Sequence, residues 1–458
     1  MTTVERHYDP QVAAEQALLL LEQEDEAALR KFLQELHPSE LVSLVNSVDP
    51  VIQPNLLQRV TGLDVLSEFL SHTDTSMREL TLHLLDDSRV AAVIRRQDID
   101  DAADVLALLP RRRQVRVLRR LSAKLVKELT ALLAYDKKTA GGLMNPFFLS
   151  YSSTLSCNEV LSDLRMGLKD EDIGDEFDLS YLYFFNESEL LIGVCSLREL
   201  LAAGADASIS DIIQTDVISV LPDDDQEVVA RKIADYDLTA IPVIDQETFR
   251  MLGIITIDDI IDVIEEEATE DLLKLAGTED QDTVSASIPV AMKSRLPWLL
   301  ASWGGGLCGA LLLGQYQSTL EKIVALAFFM PVVFGMGGNV GSQSSTITVR
   351  GLATGALAHS RMRTRVRKEL FVGLGLGGTF GMLLGVAAFL IYNDLRLAGI
   401  VGLSIMATMT FASALGAALP VIFKRLGIDP AVASGPLVTT TTDIMSITIY
   451  FTIATLLL

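Results

Sequence analysis

From residue 296 to the C-terminus, five apolar runs follow one another, near 296–316, 322–345, 369–392, 397–423 and 431–458. A helix needs about 20 consecutive apolar residues to cross a bilayer, and none of these runs holds a Lys or Arg near its middle. In lipid the backbone must satisfy its own hydrogen bonds, so this part of the chain is restricted to an all-α membrane bundle. The rest has the opposite character. Residues 1–294 carry 26 Lys+Arg and 55 Asp+Glu, a net of −29, whereas 295–458 carry 11 and 5, a net of +6; the two give the total of −23. An acidic front half excludes nucleic acid as a partner, since phosphate binding needs clustered basic residues. It suits a protein that meets cations. Cys157, Cys195 and Cys308 show no metal or disulfide spacing. The stretch "MTTVERHYDPQVAAEQALLLLEQEDE" has no basic start followed by an apolar run, so a cleaved signal is not expected and the front half should stay in the cytosol.

Charge in the connections sets the orientation. Arg350, Arg361, Arg363, Arg365, Arg367 and Lys368 follow the second run, and Lys424 and Arg425 follow the fourth. The other connections hold only Glu321 with Lys322 and Asp394 with Arg396. Positive charge marks the cytoplasmic side. The expectation is a multi-pass protein of the cell (inner) membrane, with the N-terminus cytosolic and the C-terminus outside. Glycine-rich segments such as "WGGGLCGALLLG" and "GLGLGGTFGMLLG" let helices pack closely in the bilayer.

Two features exceed packing. In "MPVVFGMGGNVGSQSSTITVRG" (330–351), Pro331 blocks a helical hydrogen bond, and Gly335, Gly337, Gly338 and Gly341 follow it. Broken backbone at membrane depth is tolerated only beside protein or a watery cavity. Freed carbonyls there, with Asn339, Gln343, Ser344, Ser345 and Thr346, would be hard oxygen ligands for a hydrated cation. In the fifth run, Asp443 reads as the only acidic residue well inside any span. A charge at that depth costs roughly 2.5–3.5 kcal/mol on insertion scales, which makes it a functional candidate. With no basic residue at similar depth, a cation is its natural partner, and the Thr439 carbonyl one turn earlier could join the same site.

"PVVFGMGGNVGSQSSTITVRGLA" together with "DPAVASGPLVTTTTDIMSITIYF" resembles the MgtE family of magnesium channels, and the likeness extends over essentially the whole chain. The resemblance implies a homodimer whose pore is lined by the second and fifth spans. It makes Asp443 the selective carboxylate, with the Thr439 carbonyl beside it and Gly335 and Gly338 along the path, where Asn339 is expected as a further oxygen ligand. Ser446 stands where many members have Gly. Mg²⁺ sheds water reluctantly and is held through its waters by one or two carboxylates, which two Asp443 side chains would supply.

The cytosolic half carries an imperfect repeat. "IGVCSLRELL" (192–201) aligns with "LGIITIDDII" (252–261), and "NEVLSDLR" (158–165) with "QEVVARKI" (226–233); an acidic insertion near "GLKDEDIGDE" accounts for the unequal offsets. Each copy reads as helix, short apolar strands, helix, and the pair resembles tandem cystathionine β-synthase (CBS) domains. Thr256 and Asp259 fit the ribose-contacting pattern of nucleotide-binding pairs, which makes ATP a candidate modulator, although Leu238 is not an aromatic that could stack on adenine. Residues 12–133 show helical periodicity throughout, with charged faces read as solvated surface, and "YDKKTAGGLMNP" leads into the repeat. From Asp258 to Asp282 there are eleven acidic residues and one basic residue, Lys274. On a helix Asp259, Asp262, Glu266 and Glu270 share one stripe, and like charges so spaced oppose the helix. Bound Mg²⁺ is the simplest agent to offset that. The family's sensing positions map to Asp225, Glu227 and Asp237, then to Asp259, Glu267, Glu270 and Asp271, and finally to Asp429; Asp262, on the same stripe, is expected to join them as a regulatory Mg²⁺ ligand.

The expected organisation is a multidomain membrane protein. It comprises an all-α superhelical N-terminal domain (1–135), α/β tandem CBS domains (136–258), an acidic connecting helix and linker (259–294) and a five-helix membrane domain (295–458). The function expected is a Mg²⁺-selective uptake channel that cytosolic Mg²⁺ closes. An ion-coupled divalent-cation carrier and a membrane-anchored nucleotide sensor are the competing readings. An enzyme is not expected, because no nucleophile, base or phosphate-binding loop accompanies "PDDDQE" (222–227).

Overall fold

In the computed structural model, which describes residues 9–169, 178–204, 207–278, 288–357, 362–433 and 435–458, the chain folds as two units. One ends at Ile264 and the other begins at Glu265.

The first unit opens with short helices, from Pro10–Glu22 to Ala123–Leu132. Many begin on a side-chain cap: Asp25, Asp74, Asp86 and Ser122 accept a hydrogen bond from the first turn. Such caps satisfy backbone donors that a short helix otherwise leaves open. Each helix buries one apolar stripe, so Leu41, Leu56, Phe69, Val90 and Leu106 meet in a continuous core. That core runs on through Ala140 and Met144 to Val229, Ile241 and Ile255. The helical domain and the second CBS copy are therefore packed as one body.

The repeat folds as the alignment predicts. The first copy contains β1 (Ser150–Ser152), helix Cys157–Lys169, β2 (Tyr181–Phe185), β3 (Leu191–Ser196) and helix Leu197–Ala202. β2 pairs parallel with β1 and antiparallel with β3, with Tyr183 opposite Val194. In the second copy, helix Gln226–Asp235 precedes the antiparallel pair β4 (Ala240–Ile244) and β5 (Met251–Thr256), with Val243 opposite Gly253. Asn145 bridges to Ile254 at the edge of β5 and Val220 bridges to Val243 in β4. Most of the acidic insertion lies outside the described residues. β5 runs directly into the connecting helix, Ile257–Ala276. Of its apolar residues, Ile260 and Val263 are buried, whereas Ile261, Ile264 and Leu272 are exposed.

Among the described residues of the second unit, five helices are long and apolar enough to span a membrane: Ile288–Gln315, Ala325–Ala353, Met362–Tyr392, Leu395–Arg425 and Gly435–Leu457. They are the first to fifth spans. The second, fourth and fifth form the centre, with Val333, Val340, Ile400, Met409, Tyr450 and Phe451 in one core. Two sequence expectations are corrected here. The second span is one unbroken helix through Pro331 and the glycine cluster. Pro331 lies in its second turn, and none of the four following glycines has positive φ, so the carbonyl that the proline frees is that of Ala327 in the first turn, away from the glycine cluster. The basic stretch Arg363–Lys368 is helical and forms the opening turns of the third span; Arg361 lies outside the described residues.

Candidate permeation and gating sites

A helical span cannot hide every polar residue it carries, and the burial pattern of the second span separates two sets. Gly335, Asn339, Gln343, Thr346 and Arg350 are exposed at spacings of three and four, a polar stripe along one face. A side chain at Gly335 or Gly338 would meet nothing within 4 Å. Ser344 and Ser345, expected as cation ligands, lie instead on the buried face. The helix turns them away from the stripe, and Ser344 is hydrogen-bonded inside the bundle.

Asp443 is exposed and stands beside Gly335 and Thr439 at a cavity of about 480 Å³ between the first, second and fifth spans. Ser302, Gly305, Gly306 and Gly309 of the first span line its far side. Among the described residues Asp443 makes no hydrogen bond or ion pair. The Thr439 carbonyl accepts a hydrogen bond from Thr442 at 2.8 Å, and the Thr439 hydroxyl donates back toward Pro436 at 3.1 Å. A lone carboxylate with a polar helix face beside it can attract a hydrated cation. Asp443 is not, however, the only acid within the bundle: Glu369 is buried in the third span.

A second acidic grouping lies in the first unit, on a face expected to be solvated surface. Helix Ile99–Ala107 carries Asp100, Asp101 and Asp104, and with Asp98 it comes up against Asp259 at the start of the connecting helix. Burial pushes the Asp100 carboxyl well above its usual range, and the Asp259 charge adds to this. Burial likewise raises Asp101, against hydrogen bonding from Ser71 and the charge of Arg78. Asp259 is pushed up to about 7 by burial, partly offset by a hydrogen bond from Thr256, with Asp258, Asp101 and Asp98 adding like charge. The run "DIDDAAD" shows the acids in the sequence, but nothing local to it reveals that Asp259 faces them. The Thr256 hydroxyl donates to Asp259 at 2.9 Å, so the two residues assigned to a ribose contact are already tied to each other.

In the second unit, Glu270, Asp271 and Asp429 come together, and Lys274 sits among them. Its ammonium pairs with Glu270 and reaches Asp429 at 2.6 Å. Burial alone would lower the Lys274 pKa; hydrogen bonds to Asp429 and Glu270 outweigh that and hold it above the usual range. Asp271 is raised by burial and then by the Asp429 charge. Two of the other positions expected to sense Mg²⁺ take part in local structure. Asp225 caps helix Gln226–Asp235 by accepting from the Glu227 amide at 2.8 Å, and Glu227 pairs loosely with Arg231 at 3.9 Å. Asp237 is exposed in left-handed backbone, φ 51°, and Asp262 is exposed. Among the described residues no three His, Cys, Asp or Glu side chains converge as a ready-made metal cage.

Three family models match the chain: a divalent cation transporter domain over residues 330–453, the MgtE intracellular N domain over 36–138, and a CBS domain over 209–266. The magnesium transporter MgtE of Thermus thermophilus is 36% identical over 446 residues, covering 96% of this chain and 97% of that protein. Its namesake from Bacillus subtilis is 30% identical, covering 93% of each. The one from Enterococcus faecalis is 37% identical, covering 72% of this chain and 71% of its own. A solved structure described as the cytosolic domain of the Mg²⁺ channel MgtE in complex with ATP is 33% identical at a TM-score of 0.49, covering 55% of this chain and 99% of that one.

Proposed function

The chain belongs to the MgtE family of magnesium transporters, and from that premise we propose that it is a homodimeric Mg²⁺ channel closed by cytosolic Mg²⁺. The observation that carries the permeation reading is the open polar stripe of the second span, Gly335, Asn339, Gln343 and Thr346, next to an unpaired Asp443. Polar groups facing lipid are costly. A second copy bringing its own stripe to the first would enclose them around water and place two Asp443 carboxylates on one path. Mg²⁺, as cargo, could pass with most of its waters kept. With the cell interior negative, entry gains about 2.3 kcal/mol per charge per 100 mV, so no coupled ion is required. In this reading the N-terminus is cytosolic and the C-terminus outside, as the positive-inside rule requires.

For gating, the candidate elements are the carboxylates of the two cytosolic groupings. Asp98, Asp100 and Asp101 repel Asp259 unless protons or a divalent cation intervene. Glu267, Glu270 and Asp271 on the connecting helix, with Asp429, form the second group, and Asp225, Glu227, Asp237 and Asp262 are the outlying members of the set. Mg²⁺ favours the closed form only so far as it binds that form more tightly. ATP, as a modulator, would have to displace the Thr256–Asp259 hydrogen bond. Calorimetric titration of the whole chain with and without Asp259→Asn tests that.

The decisive experiment is single-channel recording of the reconstituted protein. Unitary Mg²⁺ currents that disappear in Asp443→Asn and fall as Mg²⁺ is raised on the cytosolic face are expected. Flux without unitary currents would favour the coupled carrier.

A further inference from the structure

Glu369 stands two turns into the third span with only 5% of its surface exposed. Its Oε2 accepts hydrogen bonds from Ser344 of the second span at 2.7 Å and from Ser413 of the fourth at 2.9 Å, and the two hydroxyls are 3.0 Å apart. The Ser413 hydroxyl is also 2.9 Å from the Glu369 carbonyl. Glu369 Oε1 meets the Arg365 guanidinium, one turn back on the same helix, at 2.8 Å. The guanidinium makes a buried carboxylate affordable, and the serines occupy its other oxygen. One carboxylate therefore joins three spans.

This junction leads directly to Asp443. Ser344 lies one turn from Gly341 on the same buried face of the second span. A Cβ at Gly341 would stand 3.1 Å from Thr442 and 3.2 Å from Val438 of the fifth span. Thr442 adjoins Asp443 in the chain. On the fourth span, Gly416 follows Ser413 by one turn and lies so close that a Cβ there would overlap the Gly341 carbonyl. The buried face of the second span is thus held by both the Glu369 junction and the Asp443 helix, one turn apart, while its polar stripe stays open.

We propose that Glu369 is a positioning residue for transport, fixing the second span through Ser344 and Ser413 and thereby setting where the polar stripe stands relative to Asp443. The proposal rests on the pore reading above and adds a residue that touches neither the stripe nor the cavity. Glu369→Gln alone is a poor test because it strands the buried guanidinium. The double variant Arg365→Gln/Glu369→Gln removes both charges, and Ser344→Ala cuts one hydrogen bond without altering charge.

Each variant is reconstituted as the full chain, and Mg²⁺ uptake is measured against Mg²⁺ concentration beside thermal unfolding and an Asp443→Asn control. Expected are an unfolding temperature within a few degrees of wild type and a half-saturating Mg²⁺ concentration or maximal flux shifted by roughly tenfold, the order seen when a residue supporting a metal site is removed. A merely structural role would lower yield or unfolding temperature and leave half-saturation unchanged. Wild-type half-saturation and flux in a folded double variant overturn the proposal; if that variant does not fold, the same result in Ser344→Ala does so. Should Asp443→Asn transport normally, the pore reading fails instead, so the two failures are told apart.

Discussion

Replacing Asp259 with Asn removes one side of the like-charge contact in the first unit, and its effect can be worked out in advance. In the folded chain Asp259 titrates at about 7 instead of its ordinary 3.8. At about 1.4 kcal/mol per pK unit, ionising it in place costs about 4 kcal/mol. The folded value lies above the unfolded one, so the packed arrangement takes up a proton between pH 3.8 and about 7. Its stability is full below that window, falls as pH rises through it, and is lost above it. Asp100 and Asp101 are raised as well and act in the same direction. Hydrogen exchange on the full chain in EDTA, corrected for intrinsic rates, reads the local opening of Ile99–Ala107. Between about pH 8 and pH 5 Asp259 alone should add about 2–3 kcal/mol of protection to the wild type, and Asp259→Asn should lose that share while keeping the part that the buried Asp100 and Asp101 contribute. At about pH 8, Mg²⁺ should restore protection to the wild type and much less to the variant. Wild-type protection independent of pH in EDTA, or a variant that titrates like the wild type, would mean that Asp259 carries no repulsion against this helix.

Two other substitutions test different parts of the fold. Lys274→Met takes away the cation shared by Glu270 and Asp429; proteolytic protection of the connecting helix in EDTA should fall by about 1 kcal/mol, the scale of a partly exposed pair, while Lys274→Arg retains it, so that the difference between EDTA and Mg²⁺ widens only in the Met variant. Gly416→Ala drives a methyl into the Gly341 carbonyl and should cost about 1–3 kcal/mol in thermal unfolding, whereas Gly375→Ala, with nothing within 4 Å, should cost little.

Much of the architecture can be read from local pattern. Five apolar runs specify five spans because bilayer thickness sets a minimum length, and the repeat at 192–201 and 252–261 marks the two strand-to-helix junctions. What escaped the sequence depends on contacts far along the chain. Asp100 looks solvated until Asp259 is placed opposite it. Glu369 hides in "RTRVRKE", a run that reads as a basic loop, yet the helix draws it inward and sets Arg365 one turn away; that spacing was available and is the signal that could have exposed it. Pro331 and its glycines suggest a break, but a proline in the second turn perturbs little beyond it. Ser344 and Ser345 show the limit of composition: hydroxyls in one run divide between two faces, and only helical phase assigns them.

In the channel proposed above, Asp443, exposed in the fifth span and unpaired among the described residues, serves a passing Mg²⁺ ion. Uptake of Mg²⁺ into vesicles holding purified wild-type protein or Asp443→Ala, under a potential negative inside, measures this directly. Uptake should saturate in the wild type and be almost wholly lost in Asp443→Ala at equal folded protein. Equal uptake by the two would contradict that role of Asp443.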